Sequence, residues 1–373
     1  MRKRKMKNLG TAGYKLLTPG PLTTTETVKE VMLFDHCTWD GDYKEITQKI
    51  RRDLLKLAQV EETEYTTVLM QGSGSFGVES VLGSVVPKDG CVLLLSNGAY
   101  GERAAKMCSY YEIPCIHVKQ DYNKTPDANE AEELLKTHPE ITHIMMIHSE
   151  TTSGILNDIE SIGKLAEAYG KVFIVDAMSS FAGVEIPVKD WYIDFLISSA
   201  NKCIQGVPGF SFIIANRVLL MESKGRARSL CLDLYDQWAG MEKDGKWRYT
   251  SPTHVVLAFE QAMKELEQEG GIKARHARYQ KNMDTLVENF ENLGFRLYVD
   301  KAWQGPIIAT FLYPEGKHFD FQEMYAYIKE RGYAIYPGKL TDADTFRIGV
   351  IGEIYEEDVL RLTEIMKSYM EQA

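Results

Sequence analysis

From about residue 65 to residue 215 the chain alternates between two hydrophobic patterns. Short apolar runs of strand length recur, and between them apolar residues repeat at helical spacing, as at 78–86, 130–135 and 159–169. This alternation is typical of βαβ units around a mostly parallel sheet. The spacing leaves open whether the last run returns antiparallel. The seven predicted strands are 66–70, 91–95, 113–118, 141–147, 172–175, 193–197 and 210–214.

The segments before and after this region have a different pattern of hydrophobic residues. Before the alternation, a Thr/Pro/Gly-rich loop at 18–21 precedes an amphipathic helix predicted at 28–33. After it come long helical patterns at 255–269 and 272–293, followed by shorter strands and helices at 307–312, 319–331, 346–350 and 356–370. We therefore predict an N-terminal tail and entrance loop (1–20), a large α/β domain (21–255) and a smaller C-terminal α+β domain (256–373).

Composition narrows the class of protein. The net charge of −10 and the pI near 5.4 argue against a nucleic-acid or anionic-membrane surface. No stretch approaches the roughly 18 apolar residues of a membrane span, and the basic cluster at 2–7 suits a solvated tail. The six cysteines form no CxxC pair, which favours reduced, buried thiols in a cytoplasmic enzyme. The histidines show no metal spacing, and His143 and His148 suit packing roles beside a strand.

Two residues at predicted strand ends carry most of the chemical information. Lys202 follows the run 193–197 and precedes a Gly/Pro-rich turn, and Asp176 ends the run 172–175. A partly buried lysine loses pKa and becomes nucleophilic, and a buried Asp can hold a cationic ring nitrogen. Together they indicate a pyridoxal phosphate site. The alternative is that both are ordinary loop residues of a parallel sheet.

A glycine-rich segment, 71–77, lies between a predicted strand and a predicted helix. Gly72, Gly74 and Gly77 match the G-x-G-x-x-G dinucleotide fingerprint. That fingerprint also needs an acid about 20 residues on, and the next strand ends in Ser-Asn-Gly-Ala-Tyr-Gly without one. With Ser73 and Ser75 supplying hydroxyls, the segment suits a single phosphate at a helix N-terminus instead.

Further strand ends add an aromatic ring and hydroxyl groups. Tyr100 follows the second strand and could cover a pyridine face, although a half-buried core role is the common alternative. The segment 148–154, His-Ser-Glu-Thr-Thr-Ser-Gly, ends another strand with several hydroxyls. Ligands of open α/β sheets bind at the carboxyl ends of the strands, so these groups should converge there.

In this order, the motifs resemble those of the fold-type I pyridoxal phosphate enzymes, in the branch that holds alanine–glyoxylate and serine–pyruvate aminotransferases. The resemblance runs from about residue 14 to the C-terminus. Segments at 16–22, 35–40, 71–76 and 249–254 are similar to members that transfer the amino group of 2-aminoethylphosphonate to pyruvate. The alternative within the branch is serine or alanine as donor and pyruvate or glyoxylate as acceptor. The matching motifs are Gly-Ser-Gly-Ser-Phe, Asn-Gly-Ala-Tyr-Gly-Glu-Arg, His-Ser-Glu-Thr-Thr-Ser-Gly, Val-Asp-Ala-Met-Ser-Ser, Ser-Ala-Asn-Lys-Cys and Arg-Ile-Gly.

What this resemblance implies can be placed on the chain. Lys202 would bind the cofactor covalently and move a proton, and Asp176 would hold the ring nitrogen. Tyr100 would stack on the ring, and Thr151 would touch its phenolic oxygen. The family commonly has Gln where this chain has Asn201, a shorter phosphate ligand. The implied cofactor residues are Ser73, Gly74, Ser75, Phe76, Tyr100, Thr151, Asp176, Asn201, Lys202 and, from the neighbouring subunit of a homodimer, Thr250.

The resemblance also implies a site for the acidic end of the substrate, an amine or a 2-oxo acid. Arg347 would grip that end, with Thr18 and Gly20 beside it. An arginine suits this role because its planar fork binds an oxyanion through paired donors. The alternative for Arg347 is a salt bridge to Asp342 or Asp344.

Proteins of this fold with other functions are the alternatives. A cysteine desulfurase needs a mobile Cys in the C-terminal third, and the last cysteine here is Cys231. A decarboxylase or aldolase would keep every cofactor residue, so only the substrate end discriminates. A non-enzymatic regulator of this fold would carry a DNA-binding domain, for which we expect no room before residue 14.

Overall fold

A computed structural model of the chain describes residues 13–314, 319–338, 340 and 343–372. The basic cluster at 2–7 lies outside them. The described strands are β1 (Lys15–Leu16), β2 (Tyr65–Gln71), β3 (Cys91–Ser96), β4 (Cys115–Lys119), β5 (Ile141–Ile147), β6 (Ser149–Glu150), β7 (Ile155–Leu156), β8 (Val172–Asp176), β9 (Phe195–Ser199), β10 (Phe210–Asn216), β11 (Arg296–Leu297), β12 (Ile308–Leu312), β13 (Tyr333–Ala334), β14 (Tyr336–Pro337) and β15 (Thr345–Gly349).

Helices occupy most of the connections between these strands. Short 3₁₀ turns at Val31–Leu33 and Lys301–Trp303 supplement them. The α-helices are α1 (Glu26–Glu30), α2 (Gly41–Leu57), α3 (Gly74–Val85), α4 (Ala99–Tyr110), α5 (Ala128–Thr137), α6 (Ile159–Ala168), α7 (Arg217–Glu222), α8 (Leu234–Asp244), α9 (Thr253–Glu269), α10 (Gly271–Asn292), α11 (Phe321–Glu330) and α12 (Glu356–Met370).

The main sheet has seven strands in the order β2-β10-β9-β8-β5-β3-β4. Strand β10 pairs antiparallel with both β2 and β9, and every other pairing is parallel. The predicted mostly parallel, seven-stranded α/β fold is confirmed, and the last run is an antiparallel return. The strands read as continuous apolar runs because both faces of the sheet are covered.

Some boundaries differ from the predicted ones. Ile113 and Ile193 are buried but precede strands that begin at Cys115 and Phe195, because apolar residues of a connection also pack into the core. The sequence prediction missed α2, a helix of 17 residues within the segment 20–60. Its inward positions, which include Tyr43 and Ile50, recur at intervals of three and four residues in a charge-rich sequence.

Three large apolar clusters hold the chain together. Two lie on opposite faces of the main sheet, with Phe173 in one and Ile174 in the other. A third surrounds Phe311 and Phe346 on the four-stranded sheet β11-β12-β15-β14 and also includes Leu17. Helix α9 packs in the first cluster, which favours a domain boundary C-terminal to it. The division at residue 255 stays a prediction.

All six cysteines are free thiols. Cys91, Cys108 and Cys203 are buried and Cys115 is half-buried, whereas Cys37 and Cys231 are exposed. The expectation of buried thiols is therefore wrong for the last two. Within the described part of the chain, no helix has the length and apolar composition to cross a bilayer.

Gly163 allows α6 to pack closely against the loop at Trp191. A Cβ at Gly163 would overlap the Trp191 carbonyl oxygen, whereas a Cβ at Gly41, the first residue of α2, would meet nothing within 4 Å. We expect Gly163→Ala to lower the free energy of unfolding by about 1–3 kcal/mol or more. Gly41→Ala should leave it unchanged or raise it by about 0.5–1 kcal/mol. Denaturant unfolding measures both, and equal values would contradict the packing argument.

Candidate active site

The carboxyl ends of β2, β3, β5, β8 and β9 meet along one edge of the main sheet. Two antiparallel pairings in succession give β2 the same direction as β9, so the glycine-rich segment joins the other strand ends. A cavity of about 230 Å³ lies there. The predicted site residues that line it are Ser73, Gly74, Ser75, Tyr100, Asp176, Asn201 and Lys202.

Lys202 lies three residues beyond β9 and is half-buried. Its Nζ donates a hydrogen bond of 2.7 Å to the carbonyl oxygen of Pro19. Burial lowers the pKa of Lys202 to about 8, and the positive charge of Arg347 acts in the same direction. Near neutral pH, a larger fraction of this amine is therefore neutral, and so nucleophilic, than in a solvated lysine.

The loop that faces Lys202 is shaped by the predicted residues Thr18 and Gly20. The Thr18 hydroxyl donates to the Pro21 carbonyl at 2.6 Å. Gly20 has φ +128°, and a Cβ there would lie 2.7 Å from the Lys202 Nζ. Neither Thr18 nor Gly20 is among the residues that line the cavity, but both shape the loop that holds the lysine.

Asp176 ends β8 and is 6% exposed. Its Oδ1 accepts a hydrogen bond of 2.9 Å from the Met178 amide. Burial raises the pKa of Asp176 to about 6, against the opposing effects of that hydrogen bond and of the positive charges of Lys202 and Arg103. This carboxyl therefore binds a proton, or a cationic N–H donor, more readily than a solvated aspartate does.

Each glycine at or near the start of α3 is required for a different structural reason. Gly72 has φ +119°, a Cβ at Gly74 would overlap the Met178 sulfur, and a Cβ at Gly77 would lie 2.7 Å from the Ser211 hydroxyl. The ring of Phe76 lines a different cavity, and its amide donates to the Ser73 carbonyl at 2.9 Å. The structure thus places Ser73, Gly74 and Ser75 at the site but does not bring the Phe76 ring to it.

Tyr100 and Arg103 lie one turn apart on α4 and both line the cavity. The Arg103 guanidinium is 5.1 Å from the centre of the Tyr100 ring, and its Nη1 donates to the Ser75 hydroxyl at 2.9 Å. The sequence prediction missed Arg103 as a site residue. The signal was its spacing of three from Tyr100, which places both side chains on one helix face.

Arg347 lies in β15, is 6% exposed and does not line the cavity. Its Nε donates to the Pro337 carbonyl at 3.0 Å, and its Nη1 donates to the Thr151 carbonyl at 2.8 Å. Among the described residues it forms no ion pair, with Asp344 or any other acid; Asp342 lies outside them. Neither hydrogen bond uses Nη2, so part of the guanidinium fork is available to an anion.

Glu150 is a buried residue that the sequence prediction did not select. Its Oε1 accepts a hydrogen bond of 2.9 Å from the Thr152 amide, while its Oε2 has no partner in the described part of the structure. Burial raises the pKa of its carboxyl. A Cβ at Gly98 would overlap this carboxyl, so Glu150 packs against the start of α4, the helix that carries Tyr100. The sequence feature that could have identified Glu150 is that it is the one acid within 148–154.

The remaining predicted residues are not among those that line the cavity. Thr151 is buried beside it, and Thr250 is exposed on the surface before α9. His143 and His148 are buried, and burial lowers their pKa values to about 4 and about 3. In the ranges that the structure describes, no group of three or more His, Cys, Asp or Glu residues could hold a metal ion.

Residues 37–361 match the family model described as aminotransferase class-V. The chain belongs to this family. The resemblance drawn from the motifs is thereby confirmed, and the protein is an aminotransferase. A 2-aminoethylphosphonate–pyruvate transaminase of Lysinibacillus sphaericus (strain C3-41) is 55% identical over 359 residues, which cover 96% of this chain and 98% of that protein.

Solved structures of other aminotransferases share the fold of this class-V member. An alanine–glyoxylate aminotransferase from Nostoc sp. superposes with a TM-score of 0.89 at 23% identity, covering 98% of this chain and 97% of that one. A phosphoserine aminotransferase from Trichomonas vaginalis, with pyridoxal phosphate bound, has a TM-score of 0.76 at 17% identity and covers 95% and 100% of the two chains. The predicted fold-type I architecture is confirmed.

The buried Asp176 carboxyl should make the stability of the cofactor-free protein depend on pH. Its pKa is about 6 in the folded protein and about 3.9 in an unfolded chain. It therefore stabilises the fold below about pH 4, and this contribution is lost as the pH rises through 6. Relative to wild type, Asp176→Asn should gain up to roughly 3 kcal/mol in the free energy of unfolding between pH 4 and pH 8.

Urea unfolding across that pH range measures the difference between the two proteins. Asp190→Asn, which alters an exposed aspartate, serves as the control and should differ from wild type by a constant amount. A constant difference for Asp176→Asn as well would show that burial does not perturb this carboxyl.

Proposed function

We propose that the protein transfers the amino group of 2-aminoethylphosphonate to pyruvate, yielding phosphonoacetaldehyde and L-alanine, with pyridoxal phosphate as cofactor. The observation that carries the proposal is the convergence of Lys202, Asp176 and the Ser73–Ser75 segment on one cavity. The relative that shares 55% identity bears the name of this activity. The solved Trichomonas relative with pyridoxal phosphate bound supports the choice of cofactor.

The residues around the cavity fit this cofactor by their chemistry. Ser73, Ser75 and the first amides of α3 form an anion-binding end, and Asn201 adds an amide beside them. Tyr100 offers an aromatic face, and Asp176 offers a buried carboxyl for a protonated ring nitrogen. When bound, pyridoxal phosphate supplies an electron sink for the negative charge that develops at the substrate carbon.

Transamination requires a proton to move between two carbon atoms. The Lys202 Nζ suits this task because burial lowers its pKa to about 8, close to the pH at which the proton must be both taken and returned. Its hydrogen bond to the Pro19 carbonyl keeps the amine at the cavity. Asp176, if it keeps the ring nitrogen protonated, maintains the electron sink through each proton transfer.

Arg347 is proposed to bind the acidic end of each substrate. Two of its nitrogens are fixed by carbonyl groups, and among the described residues no acid neutralises its charge. A pre-oriented guanidinium pairs with the oxygens of a phosphonate or a carboxylate. One arginine can therefore serve the amino donor and then pyruvate.

We also propose a homodimer in which Thr250 completes the site of the partner. In its own chain Thr250 is exposed and does not line the cavity. Beside it, Tyr249 and Phe76 are 47% and 48% exposed and line a cavity next to Gly72. These surface aromatic residues suit a protein interface. The six unpaired thiols support a cytoplasmic location.

The donor preference tests the proposed activity directly. Half-reaction kinetics with 2-aminoethylphosphonate, serine and alanine should show 2-aminoethylphosphonate as the best donor. Arg347→Lys keeps the charge but loses the fork, so it should raise KM for 2-aminoethylphosphonate and pyruvate roughly 10- to 100-fold while the cofactor spectrum stays unchanged. Arg361→Lys, at an exposed position of α12, is the matched control.

Each alternative outcome has a definite meaning. A wild-type preference for serine or alanine would replace the phosphonate activity with that of the related branch. An unchanged KM in Arg347→Lys would place the acid-binding group elsewhere.

The dimer proposal is tested by complementation. Wild type should sediment as a dimer at assay concentration. Thr250→Ala should weaken cofactor binding, and so should Lys202→Ala by a different route. Each mixed dimer of the two variants should regain one of its two active sites, and so about half of the wild-type activity, because that site then carries neither change. An active monomer, or mixtures without recovery, would contradict a shared site.

A further inference from the structure

The charges that line the active-site cavity do not balance for a phosphorylated ligand. The lining residues include one acid, Asp176, and two bases, Lys202 and Arg103. A phosphate monoester brings close to two negative charges at neutral pH. A helix N-terminus offsets roughly half a charge, and the hydroxyls of Ser73 and Ser75 offset none. Lys202 lies against the Pro19 carbonyl, which leaves the Arg103 guanidinium as the cation that can face the anion.

The position of Arg103 agrees with this role. Its Nη1 lies 2.9 Å from the Ser75 hydroxyl, at the end of the cavity where α3 begins. Its guanidinium lies over the Tyr100 ring, 5.1 Å from the ring centre, and this contact helps to hold the guanidinium at the cavity. Among the described residues Arg103 forms no ion pair, so no carboxylate has to be displaced before an anion binds.

We infer that Arg103 is a phosphate-binding residue, held by the Ser75 hydroxyl to neutralise the phosphate of the cofactor. The inference rests on the proposed cofactor. Arginine suits the site because its fork can bind two phosphate oxygens and still donate to Ser75. Ser75 then acts twice, as a ligand of the anion and as the group that orients the cation.

Arg103 also acts on Asp176, and this role differs from phosphate binding. Its positive charge also lowers the pKa of Asp176, so it acts at the ring end of the cavity as well. If Arg103 acted mainly on Asp176, its substitution would weaken the binding of every ligand with a pyridine nitrogen. If Arg103 binds the phosphate, its substitution weakens the binding of phosphorylated ligands alone.

Binding of two ligands to the cofactor-free protein distinguishes these roles. Pyridoxal phosphate and pyridoxal share the ring and the aldehyde and differ in the phosphate. Equilibrium titrations followed by absorbance give Kd for both ligands with wild type, Arg103→Gln and Arg103→Lys. Arg361→Gln is the control for loss of a remote surface arginine, and circular dichroism checks that each variant is folded.

Arg103→Gln should raise Kd for pyridoxal phosphate roughly 10- to 100-fold and leave Kd for pyridoxal unchanged. Arg103→Lys should fall between wild type and Arg103→Gln, since it keeps the charge without the fork. Inorganic phosphate should compete with pyridoxal phosphate more weakly in Arg103→Gln than in wild type.

Three results would overturn the inference. An equal loss of affinity for both ligands would assign Arg103 to the ring end or to folding. An unchanged Kd for pyridoxal phosphate, with a raised KM for 2-aminoethylphosphonate, would assign it to the substrate phosphonate. A wild-type protein that bound neither ligand would overturn the proposed cofactor, and the inference with it.

Discussion

The structure depends on the burial of two oppositely charged groups at one edge of a parallel sheet. Burial disfavours the charged form of each, lowering the pKa of Lys202 to about 8 and raising that of Asp176 to about 6. Such burial costs free energy, which mutual attraction and hydrogen bonds to the Pro19 carbonyl and the Met178 amide partly offset. The remaining cost brings both pKa values closer to 7, so the neutral amine and the protonated carboxyl are each more populated than in solvated side chains.

The antiparallel strand β10 allows the glycine-rich segment 71–77 to join this pair. It lies between β9 and β2 and runs antiparallel to both. Strand β2 therefore has the same direction as β9 and ends at the same edge of the sheet as β8 and β9. The segment 72–77 is then close enough for the Ser75 hydroxyl to meet Arg103. The close packing of Gly74 against Met178, two residues beyond Asp176, joins the two ends of the cavity.

Strand ends were predictable from the sequence, and contacts between helices and loops were not. Lys202, Asp176 and Tyr100 follow apolar runs whose parallel pairing brings them together, so periodicity alone placed them in one cavity. Arg103 and Glu150 were missed because their local signals, a spacing of three from Tyr100 and a single acid in 148–154, do not reveal how α4 packs against its neighbours. Phe76 was expected at the cofactor for its place in a motif, and it lines a different cavity together with Tyr249, because only the backbone of a helix start has to face an anion.

Hydrogen bonds to backbone carbonyl groups position Arg347 and Lys202 on the two sides of the site. On one side, Gly349, two residues beyond Arg347, donates to the Leu17 carbonyl at 3.0 Å, and the Pro19 carbonyl holds Lys202. On the other, the Thr151 carbonyl accepts a hydrogen bond from Arg347, and the Thr152 hydroxyl accepts one from the Ala99 amide at the start of α4. Because separate backbone carbonyl groups hold Lys202 and Arg347, we expect a side-chain change at Arg347 to leave the position of Lys202 unchanged. Under the proposed roles, the residue that binds the acidic end of the substrate can therefore change while the residue that binds the cofactor is kept.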